Sequence, residues 1–121
     1  MTRLRLTTVN LSSPHPRELG EFYARLLGWE IARAEETDVY LRNPDGGVHL
    51  SIQLEHVYTP PVWPSTPGEQ EMMIHLEIQV DDLTGGLEHA LASGARLADW
   101  QPQDDVRVCL DPHGHPFCLW T

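Results

Sequence analysis

Asp111-Pro112-His113-Gly114-His115 leads directly into an apolar run, Pro116-Phe117-Cys118-Leu119-Trp120. The chain makes the same move 68 residues earlier, where Asn43-Pro44-Asp45-Gly46-Gly47 leads into Val48-His49-Leu50-Ser51-Ile52. A turn and strand that occur twice, at an offset of just over half the chain, mark a duplicated module; a solenoid needs at least three copies. Two copies facing each other enclose a cleft, where small-molecule chemistry usually sits.

Each turn belongs to a longer repeated order. Arg3 to Leu11 alternates roughly and reads as a first strand. Ser12 to Pro16 break it, and either Ser13-Pro14 or His15-Pro16 places proline in the first turn of a helix. Leu19, Phe22, Tyr23, Leu26 and Leu27 then form one apolar stripe at helical spacing, and Gly28 stands where a left-handed cap belongs. Strands follow at Trp29 to Ala34, Val39 to Arg42 and Val48 to Leu54. The first module is therefore βαβββ over about residues 1–56.

Residues 57–71 carry Pro60, Pro61, Pro64 and Pro67, which exclude helix and central strand and make this the linker. Trp63 within it is expected to fold over something apolar. The second module, 72–121, repeats the order. Met73 to Val80 reads as a strand, Asp82 as an N-cap, and Leu83, Leu87, Ala90 and Leu91 as the buried helix face. Gly85 and Gly86 each weaken that helix by roughly 1 kcal/mol relative to alanine. Gly94 ends it, and strands are expected at Ala95 to Trp100, Val106 to Leu110 and Phe117 to Trp120. The expectation is a single 121-residue α+β domain, two tandem βαβββ modules whose mixed sheet curves around one cleft.

Composition narrows the function. A net charge of −10 argues against nucleic acid, which requires a basic face. No window approaches the ~18 apolar residues of a membrane span, and a signal-peptide core is not evident. Two cysteines are too few for a secreted disulfide framework. A cytoplasmic, bacterial-type protein with reduced thiols is expected, without membrane or nucleic-acid partners.

Phe22-Tyr23-Ala24-Arg25-Leu26-Leu27-Gly28-Trp29 resembles the FY-x-x-x-LG-[FW] segment of the vicinal oxygen chelate superfamily. Asp111 to Leu119 resembles its DP-x-GN-x-[FI] ending, with His115 in place of the usual asparagine, and the FCL ending is similar to the glyoxalase-like subgroup. His75-Leu76-Glu77 and Val80-Asp81-Asp82-Leu83 match the start of its second module. That superfamily includes glyoxalase I, extradiol dioxygenases, methylmalonyl-CoA epimerase, fosfomycin-modifying enzymes and non-catalytic bleomycin-binding proteins. The resemblance implies the fold and a homodimer, and leaves the reaction open.

The resemblance also implies metal-ligand positions on inward-facing strands of both modules. They fall on Thr8, Leu50, His75 and Cys118, or on Ile52 and Trp120 if the last strands slip by two. Only His75 is a usual ligand there. No cofactor is expected, with a divalent metal as the alternative. His75 is a candidate catalytic base or hydrogen-bond donor, or a cavity residue paired with Glu77 on the same strand face. A symmetric hairpin around the Asp111 turn puts Cys109 opposite Cys118, with Cβ atoms roughly 4.5–5.5 Å apart. With His75 they make a candidate Cys₂His zinc site; the plainer reading is two small buried residues.

Other candidates are weaker. His113 and His115 are expected on a solvent-exposed turn, and His49 points away from the cavity if Leu50 points in. Gln53 stands at a strand end, either touching ligand or simply polar. Trp29 is expected in packing, and Trp63 and Trp100 at the cleft mouth, where aromatic walls suit flat or cationic ligands. The expected ligand-lining set is Thr8, Leu50, Gln53, His75, Glu77, Trp100, Cys118 and Trp120. Binding of a small organic molecule without the full family metal site leads, with a glyoxalase-like lyase, isomerase or dioxygenase as the alternative.

Overall fold

The computed structural model describes residues 2–121. The chain divides into two compact units, one ending at Tyr58 and the other running Thr59–Thr121. In the first, β1 (Thr8–Ser13), α1 (Pro16–Leu27), β2 (Glu30–Ala34), β3 (Asp38–Arg42) and β4 (His49–Leu54) build a four-stranded sheet of order β1-β4-β3-β2. In the second, β5 (Leu76–Gln79), α2 (Leu83–Ser93), β6 (Arg96–Leu97), β7 (Val106–Leu110) and β8 (Pro116–Trp120) build a sheet of order β5-β8-β7-β6. In each, the first and last strands pair in parallel and the remaining pairs are antiparallel. The doubled βαβββ pattern of the sequence is the pattern of the fold. No helix among the described residues is long and apolar enough to cross a membrane.

The helix boundaries follow local chemistry. Pro16 occupies the first turn of α1, which resolves the choice between the two proline positions, and His15 precedes it. Gly28 ends α1 at φ 70°, with its N–H donated to the Ala24 carbonyl. Asp82 caps α2 by accepting from the Gly85 N–H at 2.9 Å. The two glycines that weaken α2 have a steric reason. A Cβ on Gly86 would stand 2.8 Å from Val80 Cγ1, so only glycine lets the helix lie this close to the chain leaving β5. Gly20 does the same for α1: a Cβ there would stand 2.6 Å from Val39 Cγ1, and Ile52 packs beside it.

Three strands are shorter than their alternation suggests. β1 begins at Thr8, because its partner β4 begins at His49 and the ladder opens on that pair. Leu4 and Leu6, read as part of this strand, are 91 % and 72 % exposed. β5 begins at Leu76 beside Phe117, which leaves Met73 and Ile74 exposed ahead of it. β6 is only Arg96–Leu97 of the expected Ala95–Trp100. On α2, Ala90 is buried and Leu91 is exposed, so the apolar face is narrower than its spacing indicated.

The Pro-rich stretch folds back on itself within the second unit. Val62 bridges to Glu71, and the Val62 N–H is donated to the Gln70 carbonyl at 2.8 Å. This closed loop carries Trp63.

Candidate functional site

Side-chain direction in each sheet follows from register, since paired residues share a face and neighbours alternate. In the first unit Val39 and Ile52 meet α1 at Gly20. Leu50, two residues before Ile52 and paired with Leu41, therefore lies on the helix face and is buried. The expectation of Leu50 as an inward ligand position is corrected, and a slip to Ile52 does not rescue it, because both share the α1 face. Thr8 lies on the opposite face with His49, its ladder partner, and with Asn10, Ser51 and Gln53. His49 therefore shares the face of Thr8. Its Nδ1 accepts the Asn43 N–H at 2.9 Å. Asn10 donates to Ser51 Oγ at 2.6 Å, and Gln53 donates to Ser12 Oγ at 3.3 Å.

In the second unit α2 contacts Val80, so the even-numbered residues of β5 face the helix and His75, Glu77 and Gln79 face away. Glu77 pairs with Cys118, and Gln79 with Trp120, in the parallel β5–β8 ladder. Across β7–β8, Cys118 pairs with Val108 and Cys109 with Phe117. The hairpin is thus one residue off the symmetry that would pair the two cysteines, and they point to opposite faces of the sheet. The Cys₂His arrangement is corrected on this ground: Cys109 is on the wrong face. Glu77 takes its place. One ring nitrogen of His75, one carboxylate oxygen of Glu77 and Sγ of Cys118 all lie within 4.8 Å of one another.

Two tryptophans adjoin this cluster. The Trp63 ring lies over His75 with centroids 4.6 Å apart and an interplanar angle of 34°. Trp100 meets Trp63 edge-on at 4.8 Å. The expectation that Trp63 folds over an apolar surface is met by Trp100 and the face of the imidazole. His75 Nε2 stands 2.6 Å from Glu77 Oε2, which fixes the ring's orientation from the other side. The His75 side chain is 25 % exposed and that of Glu77 53 % exposed, whereas Cys118 is buried. Burial pushes the Cys109 thiol from 9.0 up to about 11. Burial, then a hydrogen bond to the Glu77 carboxylate, pushes Cys118 up to about 12. Both are resting thiols.

The His113–His115 turn is less exposed than expected. Asp111 is fully buried, and its Oδ1 accepts the N–H groups of His113 and His115 at 2.9 and 3.0 Å. His115 Nδ1 lies 2.8 Å from Asp111 Oδ2. Gly114, at φ 91°, completes the turn against Pro60, where a Cβ would come within 2.8 Å. His115 therefore braces the turn, a role its spacing to Asp111 would have signalled. The four-position metal set implied by the family resemblance does not fit this chain, since Leu50 is turned under α1 and offers no donor. Among the described residues, His75, Glu77 and Cys118 are the donors grouped closely enough to meet.

The glyoxalase-like domain family matches residues 8–120. Solved structures share the fold at low identity. A glyoxalase-related enzyme from Fulvimarina pelagi is 17% identical with a TM-score of 0.70, over 98% of this chain and 88% of that one. A glyoxalase/bleomycin resistance protein/dioxygenase family enzyme from Burkholderia phytofirmans is 17% identical with a TM-score of 0.71, over 96% and 97%. A glyoxalase/bleomycin resistance protein from Albidiferax ferrireducens is 16% identical with a TM-score of 0.66, over 95% and 96%. No curated protein matches the chain.

Proposed function

Since the chain belongs to the glyoxalase-like domain family of the vicinal oxygen chelate superfamily, whose fold serves many reactions, we propose that it binds a small organic molecule against the Trp63–His75–Trp100 surface of its second module. The observation that carries this reading is the loop that delivers Trp63 onto His75 and Trp100, beside the exposed Glu77 carboxylate. Aromatic walls with one carboxylate suit a flat or cationic ligand, through stacking and cation–π attraction. Titrating planar organic cations while following tryptophan fluorescence tests it. Saturable quenching that Trp63→Ala abolishes is the expected result. A panel without any saturable change sinks the reading.

A second reading has its own support. The 2.6 Å contact between His75 and Glu77 holds an imidazole as a general base is held, which favours a glyoxalase-like lyase, isomerase or dioxygenase. Turnover of a bound compound, lost in His75→Gln, separates it from simple binding. The proposal also includes a homodimer. β1 and β5 end their sheets, and exposed Leu4, Leu6, Met73 and Ile74 precede them. Light scattering that gives the mass of one chain removes this part.

A further inference from the structure

One end of the first sheet encloses a cavity of about 510 Å³. Three hydrogen bonds frame it. The Glu55 N–H is donated to the Ser13 carbonyl and the Leu54 N–H to the Thr37 carbonyl, each at 2.9 Å. They tie the end of β4 to the end of β1 and to the turn between β2 and β3. Arg17, in the first turn of α1, donates through Nη2 to the Ala34 carbonyl at 3.3 Å, which ties the helix to the end of β2. His15 and Arg17 line the cavity from the turn into α1, and His56 lines it from beyond β4. Glu36 is the acidic group among its lining residues, and Leu54 supplies an apolar wall. All eight basic residues of this chain are arginines, set against eighteen acidic ones. An arginine and two of the seven histidines around one cavity concentrate donors on a surface otherwise rich in carboxylates.

We propose that this cavity binds the phosphate group of a small phosphomonoester, held by Arg17, His15 and His56. The guanidinium offers a fork of N–H donors, and an imidazole offers one N–H when neutral and two when protonated. Three donor side chains match the three terminal oxygens of a phosphomonoester, whereas a carboxylate has two. The backbone of the turn contributes little. Pro14 and Pro16 have no N–H, and His15 donates its own to Ser13 Oγ at 2.8 Å. Glu36 opposes the anion itself and favours a ligand that carries a hydroxyl or amino donor beside the phosphate. The net charge of −10 does not forbid binding, because charges beyond a Debye length of roughly 8 Å are largely screened at physiological salt. The cavity belongs wholly to the first unit. It goes beyond the organic-ligand reading and does not need it.

The test titrates inorganic phosphate into the isotope-labelled full chain, without a histidine tag and at constant ionic strength, with acetate and chloride as comparison anions. Backbone amide and arginine Nε–H resonances are followed. The expected result is saturable shifts at His15, Arg17, Glu36 and His56, with phosphate bound at least about 10-fold more tightly than acetate. Arg17→Gln weakens phosphate binding more than about 10-fold, the scale of a hydrogen bond to a charged group, and His56→Gln more than about 3-fold. Glu36→Gln tightens it, because a like charge has gone. That gain keeps the test open if Arg17→Gln loosens the turn, since lost structure does not raise affinity. Arg25→Gln, on the same helix but outside the cavity, binds as wild type. Shifts that grow without saturating, equal affinity for acetate, or unchanged affinity in both Arg17→Gln and His56→Gln overturn the proposal.

Discussion

Glu77 and Cys118 are side-by-side partners in the parallel β5–β8 ladder, which puts a carboxylate and a thiol on one face of the sheet. The same ladder positions Trp120 beside Gln79 on that face, next to Val106 of β7. The thiol donates to the carboxylate and the imidazole holds it from the other side, so each member orients the next.

Both thiols are held protonated, and this has a reactivity signature. At about pH 8 Ellman's reagent should modify neither Cys109 nor Cys118 at an appreciable rate in the native protein, since the thiolate is the nucleophile. In guanidinium both should react at once. Rapid labelling of the native chain would show that burial does not protect them.

The same shifts predict an alkaline limb in stability. Below pH 9 the folded and unfolded chains both keep these thiols protonated, and their full contribution is present. Above it the unfolded chain loses protons that the native chain retains. Stability therefore falls as pH rises, up to about 11 for Cys109 and about 12 for Cys118. Urea midpoints measured across this window should decline less steeply in Cys109→Ala than in the wild type, each referred to its own value at pH 7.

Gly86→Ala tests the close approach of α2. The added Cβ meets Val80 Cγ1 at 2.8 Å and Val80 Cβ and Cγ2 at 3.0 Å, and a β-branched side chain is stiff about χ1. Overpacking costs about 1–3 kcal/mol, which should outweigh the roughly 1 kcal/mol gained in helix propensity. A variant more stable than wild type in chemical denaturation would show that the helix is free to shift.

Asp111→Ala leaves the His113 and His115 N–H groups without the Asp111 acceptor at a half-buried turn. A loss of about 1–3 kcal/mol is expected, since a stranded buried group costs about 1–3 kcal/mol and these two N–H groups are half-buried. Thermal unfolding within a degree of wild type would contradict this.

His75→Ala should separate binding from folding. The ring is partly exposed and stands ahead of β5, so the unfolding midpoint should move little. Tryptophan emission should change, because Trp63 loses the ring it stacks on. Unchanged affinity for a genuine ligand of the Trp63 surface would remove His75 from the binding site.

Much of the fold was legible because it is written in local signals. The repeated turns, the α1 stripe from Leu19 to Leu27, and caps such as Gly28 and Asp82 act over a few residues and need no distant partner. Strand ends were less legible. Leu4 and Leu6 carry the alternation of a strand, yet β1 starts only where β4 supplies hydrogen bonds. At the site, His75 and Glu77 were readable as a same-face pair from a spacing of two. Trp63 was readable only as an aromatic in a loop, because the position of a Pro-rich segment depends on what it closes against.

By itself, the sequence determined the doubled βαβββ order, the helix ends marked by Gly28, Asp82 and Gly94, and the residue types available for chemistry, all of which depend on short-range periodicity and capping. Only the tertiary structure decided which of those residues meet. Pairing Cys118 with Val108 rather than Cys109, and turning Leu50 under α1, are matters of register and facing. Because strand side chains alternate with a period of two, a single residue of register moves every group to the other face. No local signal in the chain specifies that residue; it is seen only in the β3–β4 and β7–β8 ladders themselves.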